Sequence, residues 1–278
     1  MVIDTHLHLI GSDKEKFPLN RYPHPGHEWV AVSPNSDEYL LTMKNAGVDK
    51  ALLVQPHAAY QTDNSYICSV SSKHKEIFSI AIIDPENSAS QNTIRQFREG
   101  EVVGLRLFSI PSPTISWIGA PEKAWIWHQA QKQRLVMSVC ILPNELKEIA
   151  KCAEVYDEQI VVVDHCGFAP IFDQSDPISK NLLELARYPN VVLKVTTLVI
   201  DSWIQNKGSI AGLFPFLAES FGVERLVWGS DFAQTNDRTY KELVDLGLKA
   251  MDSLGSSSEA PKSLNAQRIW ALGDTSLE

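Results

Sequence analysis

Long apolar runs are missing from this chain of 278 residues. No stretch approaches the roughly 20 residues that a membrane-spanning helix needs; runs such as residues 160–163 and 191–193 are strand-sized. Basic clusters are missing too. The net charge is −9 and no block of five or more Lys or Arg occurs, so a surface for nucleic-acid phosphates is not expected. The four cysteines, Cys68, Cys140, Cys152 and Cys166, form no CxxC pair. That argues against a zinc ribbon or a redox pair and reads as small, reduced, buried side chains. The N-terminus carries no leader pattern, because Asp4, His6 and His8 stand where a basic region and an apolar core belong. The expectation is a cytoplasmic protein with no membrane or nucleic-acid partner. There is also no GxGxxG and no GxxxxGK[ST], which weakens an open dinucleotide- or phosphate-binding sheet.

What is present is a core-forming composition, 44% hydrophobic, arranged in a repeating architecture. Eight β-rich runs occur at residues 2–8, 50–55, 77–83, 102–108, 135–141, 159–165, 191–195 and 225–229. Most are continuously apolar rather than alternating, as suits strands buried on both faces of a parallel sheet. Between them lie stretches of helical period. One opens at Ser36-Asp37-Glu38 and closes at Gly47; others cover residues 89–99 (before Gly100), 181–187, 210–221 and 237–251. Pro121 and Pro143 suit first helical positions. Residues 255–259, Gly-Ser-Ser-Ser-Glu, read as a surface loop. Eight strands alternating with helices predict an α/β fold, a (β/α)8 TIM barrel forming one domain over residues 1–278.

In such a barrel the chemistry lies at the C-terminal ends of the strands. The first run ends in His6-Leu-His8. Residues two apart on a strand point the same way, so both imidazoles could serve one metal. The sixth run ends at Asp164-His165 and the eighth in Trp228-Gly229-Ser230-Asp231. Asp231 is a candidate ligand or general base. Three imidazoles and one carboxylate at one mouth make a site for a divalent ion with room for water. Arg106, near the end of the fourth run, needs an anion from protein or substrate. Lys194, inside the apolar seventh run, is costly without a partner; it either pairs with Asp4 or Asp231 or touches substrate. Gln55 and Asn64, in the segment after the second run, are candidates to line a lid over the mouth.

As a set, these motifs resemble the amidohydrolase-related TIM-barrel hydrolases. The residues that carry the likeness are Asp4-Thr-His6-Leu-His8, Gln55-Pro with Asp63-Asn64, Asp84-Pro85, Gly104-Leu-Arg106, Asp164-His165-Cys-Gly167 and Trp228-Gly-Ser-Asp231. The likeness is strongest to the lactonase group, which includes 2-pyrone-4,6-dicarboxylate and sugar-acid lactonases. It implies a hydrolytic site in which His6, His8, His165 and Asp231 hold the metal, and in which Asp231 takes a proton from the attacking water. Binuclear members bridge two metals through a lysine or glutamate on the fourth strand and add a fifth-strand histidine. Here those places hold Arg106 and Cys140, so at most one ion is expected, zinc by ligand type. Some lactonases of the group work without metal, and that alternative stays open.

The reading is a hydrolase that opens a small carboxylated lactone. Arg106, Gln55, Asn64 and Lys194 would bind substrate, and Asp231 and His165 would be catalytic. Two alternatives remain: a metal-dependent, non-oxidative decarboxylase of an aromatic or unsaturated acid, and a non-catalytic binding barrel. Assembly into a homo-oligomer stays open.

Overall fold

Runs of Val, Ile and Leu with no polar face can satisfy their backbone only between two other strands and their side chains only between two apolar layers. The computed structural model, which describes residues 1–20, 26–97, 101–110 and 117–273, shows that arrangement. The strands are β1 (Ile3–Leu7), β2 (Lys50–Val54), β3 (Ile77–Ile82), β4 (Val102–Phe108), β5 (Val136–Cys140), β6 (Val161–Val163), β7 (Val191–Thr196) and β8 (Leu226–Gly229). They lie in sequence order, each parallel to the next. All eight coincide with the runs read from the sequence to within two residues, and the fold is the (β/α)8 barrel.

Closure between β8 and β1 is made through single contacts. Thr5 Oγ1 donates to Trp228 O at 2.6 Å, Asp231 N–H donates to His6 O at 2.8 Å, and Leu7 bridges Phe232 in parallel. Gly229 permits this approach: a Cβ there would lie 2.6 Å from the Cβ of His6 and 2.9 Å from its backbone nitrogen.

The helices are α1 (Ser36–Asn45), α2 (Ser65–Lys73), α3 (Ser90–Gln96), α4 (Ala124–Lys132), α5 (Leu146–Val155), α6 (Pro177–Glu184), α7 (Thr197–Lys207), α8 (Leu213–Phe221), α9 (Tyr240–Met251) and α10 (Asn265–Trp270). The cap of α1 is Asn35, one residue before the expected start, in a reciprocal box with Glu38. Pro121 and Pro143 open the turns that lead into α4 and α5. The Gly100 stop expected after α3 lies outside the described residues. Three helices had no clear signal, α10 among them. In α2, Ser-Tyr-Ile-Cys-Ser-Val-Ser-Ser is a weak helix former, and α7 follows β7 directly through Thr197-Leu-Val-Ile, which reads as more strand. The expected loop at residues 255–259 is instead largely helical: the turn Asp252–Ser258 kinks at Gly255 (φ +59°) and runs on towards α10.

That C-terminal segment matters to the barrel. Ala266, Ile269, Trp270 and Leu272 join an apolar cluster that draws on all eight strands, among them Ile3, Leu52, Ile80, Val162, Val192 and Val227. α10 therefore packs into the strands' own core, and the polar residues concentrate at the other end. Among the described residues no helix is long and apolar enough to cross a membrane.

Candidate active site

Asp4 organises the end of β1. Its Oδ1 accepts from His6 N–H (3.0 Å) and Ser230 N–H (2.9 Å), and its Oδ2 accepts from Tyr240 OH (3.0 Å), which lies 2.8 Å from Tyr39 OH. This joins β1 to the segment after β8 and sets the two histidines. Their ring centroids are 5.1 Å apart and both are buried. Nδ1–H of His8 donates to Val54 O at 2.9 Å, which leaves Nε2 with its lone pair toward the mouth. Burial is the first cause holding both imidazoles neutral; that of His8 is pushed down to about 3 and that of His6 well below the usual range.

Asp231 sits beyond Gly229 with φ +60°. Thr235 Oγ1 donates to its Oδ2 at 3.1 Å. Its Oδ1 has no hydrogen-bond partner among the described residues, and neither has His6 Nε2. These two orphaned atoms are 3.5 Å apart, with His8 Nε2 4.0 Å from the same oxygen. Burial pushes the Asp231 carboxyl up to about 7 against the pull of Arg106. Ligand atoms of His6, His8 and Asp231 all lie within 4.8 Å of one another. Two neutral imidazoles and a carboxylate, with buried polar atoms that lack partners, fit one divalent ion of the zinc type.

His165, the fourth expected ligand, stands outside this trio. Its ring centroid is 4.8 Å from that of His6, Nδ1 meets Thr196 Oγ1 at 2.8 Å, and Nε2 faces Arg106 Nη2 at 3.5 Å. That guanidinium N–H engages the nitrogen a metal would use.

The structure corrects the pairing expected for Lys194. Its partner is neither Asp4 nor Asp231 but Asp164, whose Oδ1 is 2.9 Å from Nζ. Arg106 Nε–H donates to the other oxygen, Oδ2, at 2.7 Å. Burial would raise the Asp164 carboxyl, but Lys194 and Arg106 hold it down at about 2. Asp164 stands beside His165 just after β6, but nothing in the residue order marks it, rather than Asp4 or Asp231, as the anion for Lys194. Lys194 is fully buried and does not line the pocket. Gln55 and Asn64 also make bonds within the fold. Gln55 Nε2 donates to the carbonyls of Gln61 and Asp63, and the Asn64 amide brackets the backbone of Ile82 at 2.8 and 3.0 Å. They brace the segment after β2, since their amides are used on backbone that would otherwise be unsatisfied.

The pocket that meets the trio through His8 has a volume of about 230 Å³, with His6 and Asp231 buried behind it. His8, Arg106 and His165 meet it from below, and its walls include Trp29, His57, Phe108 and Phe168. His57 stacks on Phe108 (4.5 Å), and Phe108 lies 5.3 Å from the Arg106 guanidinium. Burial pushes the His57 imidazole down to about 4. Phe108 and Cys140, both in the pocket wall, end β4 and β5 and pair in register, so the strand-end rule marks them. Trp29 comes from the long segment after β1, which carries no such signal.

The amidohydrolase family profile matches residues 3–257. L-fucono-1,5-lactonase of Burkholderia ambifaria is 24% identical over 196 residues, 68% of this chain and 67% of that protein. An amidohydrolase from Burkholderia multivorans with bound zinc superposes with a TM-score of 0.77 at 19% identity, covering 98% of this chain and 100% of that one. A probable 2-pyrone-4,6-dicarboxylic acid hydrolase from Acinetobacter baumannii, with citric acid bound, gives 0.72 at 17% identity, covering 97% of this chain and 99% of that one.

Proposed function

The chain belongs to the amidohydrolase family, and from that premise we propose that it is a lactonase that opens a small carboxylated cyclic ester by attack of water. The observation that carries this reading is Asp231 Oδ1. It is buried, without a hydrogen-bond partner among the described residues, and belongs to a carboxyl whose pKa is raised to about 7, beside two neutral imidazoles.

Arg106 keeps one edge of its guanidinium for ligand. Nε is committed to Asp164 and one Nη2 N–H faces His165 Nε2, while the side chain still lines the pocket, so the remaining Nη N–H groups can meet a substrate carboxylate. The Lys194–Asp164–Arg106 bridge fixes that edge. Asp231 Oδ1 accepts a proton as water oxygen bonds to the lactone carbonyl carbon. When the ring C–O bond breaks, the same carboxyl returns the proton to the departing alkoxide, leaving a hydroxy acid. A single divalent ion, zinc by ligand type, fits between His6 Nε2, His8 Nε2 and Asp231, and when bound it supplies Lewis-acid polarisation.

Base uptake in a pH-stat with a panel of carboxylated lactones tests the proposal. Opening that is lost in Asp231→Asn supports it. Release of CO2 from unsaturated acids, with no lactone opened, would overturn it in favour of a decarboxylase. Tight ligand binding with no turnover of either class would leave a binding barrel.

A further inference from the structure

A second cavity, of about 120 Å³, adjoins the pocket. It shares His165 and Phe168 with the main pocket and is otherwise lined by residues that include Ile171, Leu198, Val199 and Ser202. His165 and Phe168 stack at 4.9 Å and so form the partition between the two spaces. Phe168 and Leu198 are 39% and 38% exposed. Two large apolar side chains left open to solvent on one small cavity, next to a polar catalytic pocket, make a surface suited to an apolar ligand group.

The backbone explains why Phe168 stands there. Residues 165–168 are all left-handed, with φ of 54°, 49°, 61° and 52°. Side chains disfavour this geometry, and a Cβ on Gly167 would lie 2.7 Å from Leu146 Cδ2. The turn brings His165 to Arg106 and leaves Phe168 at the rim. An uninterrupted right-handed turn after β6 would not place the two rings in this way.

We propose that the side cavity is a specificity subsite for an apolar substituent of about five carbons on the substrate ring, with Phe168 as its partition. This rests on the lactonase reading above and deepens it by naming the substrate class: alkyl-bearing rather than polyhydroxylated carboxylated lactones. The size follows from the volume, since a cavity of roughly 150 Å³ holds a benzene ring. The chemistry follows from the lining. Ile171, Leu198 and Val199 offer only alkyl surface beside the single hydroxyl of Ser202, and a polyhydroxylated group there would exchange most of its hydrogen bonds to water for apolar contact. The place follows from His165, which touches both Arg106 and Phe168. A ring whose carboxylate sits on Arg106 therefore lies one imidazole away from the side cavity.

Calorimetry with two simple carboxylates reads the subsite without relying on turnover. Wild type should bind cyclopentylacetate about 10- to 100-fold more tightly than acetate, since each fully buried methylene contributes about fourfold and a cavity with an exposed rim buries the equivalent of about two to three of them. Ser202→Phe, which fills the cavity from α7, should reduce that ratio to about threefold or less. Leu198→Glu, at an exposed position that leaves the core intact, should do the same by making the rim polar. Equal affinities in wild type, or a ratio retained in both folded variants, would overturn the subsite. A ratio that appears and collapses as described, in a protein that opens no carboxylated lactone, would uphold the subsite and overturn the lactonase reading. Lactone opening with no ratio would overturn the subsite alone.

Discussion

Arg106 donates its Nε–H to Asp164 Oδ2 at 2.7 Å, and this leaves the Nη edge of the guanidinium as the part that can meet a ligand. The same carboxylate takes Lys194 on its other oxygen. One buried anion thus holds two buried cations, one from β4 and one from β7, and the cation at the pocket is aimed by the cation behind it.

Replacing Arg106 with Met should separate ligand recognition from packing. On carboxylated lactones kcat/KM should fall by about 2–5 kcal/mol of transition-state binding, the span for truncating one member of a buried charge pair. On neutral lactones of the same size the loss should be much smaller. Steady-state kinetics on matched pairs checks this, and equal losses would make Arg106 a brace for Asp164 alone.

Asp164→Asn should destabilise the fold, because it leaves Lys194 and Arg106 facing each other without an anion. Breaking a buried pair in this way costs about 3–5 kcal/mol, readable in urea unfolding. The sign of the pH dependence follows from the lowered carboxyl. With a folded value near 2 against the ordinary carboxyl value of 3.8, the stabilisation is present above pH 3.8 and is lost as pH falls through 2.

Asp231→Asn should lower kcat by about 10²–10⁴-fold in metal-replete enzyme. In chelator-treated protein the wild-type carboxyl should lose its proton as pH rises through about 7, readable as a carboxyl band in difference infrared spectra, and the variant should lack that titration. Stability follows the same titration. A folded value raised above the unfolded one favours the folded state at low pH, and that advantage is lost as pH rises from 3.8 through about 7. In chelator-treated protein Asp231→Asn should therefore raise Tm at pH 8 and leave it nearly unchanged at pH 3.5. A variant with near-wild-type kcat would remove Asp231 from the base role.

Metal stoichiometry should be one. Zinc titrated into chelator-treated protein should saturate at one equivalent per chain and raise Tm by an amount that grows with the logarithm of its affinity. His8→Ala should weaken that binding, whereas His165→Ala, outside the trio, should leave one equivalent bound. Elemental analysis after dialysis decides it, and two tightly held ions would contradict a trio built around a single centre.

Gly229→Ala should damage site and fold together. The added Cβ would lie 2.6 Å from His6 Cβ, and overpacking of this kind costs about 1–3 kcal/mol. A thermal melt should show the loss, with zinc affinity reduced in parallel because His6 must move.

How far the sequence foretold this protein differs from residue to residue. His6, His8 and Asp231 were readable because each ends a strand, and strand ends in a barrel share one mouth. His165 was readable by the same rule but not in its role, because the left-handed turn that directs it to Arg106 leaves no mark in the residue types. Gln55 and Asn64 looked like ligand-binding amides, yet both close backbone hydrogen bonds within the fold. Side-chain amides serve either purpose, and composition does not separate them.

The sequence by itself determined the barrel. Eight β-branched runs of strand length, each followed by a helical or capped segment, have few ways to bury both faces of a parallel sheet, and closure in order is one of them. It also determined which strands deliver imidazoles and carboxylates to the mouth, since direction along a strand is set by the local period of two. Tertiary structure alone decided the pairings. Asp164 lies 58 residues from Arg106 and 30 from Lys194, and whether it, Asp4 or Asp231 neutralises Lys194 depends on separations of a few ångströms across the closed barrel. Coulomb attraction and desolvation both change steeply over that distance, and no local pattern in the chain encodes it.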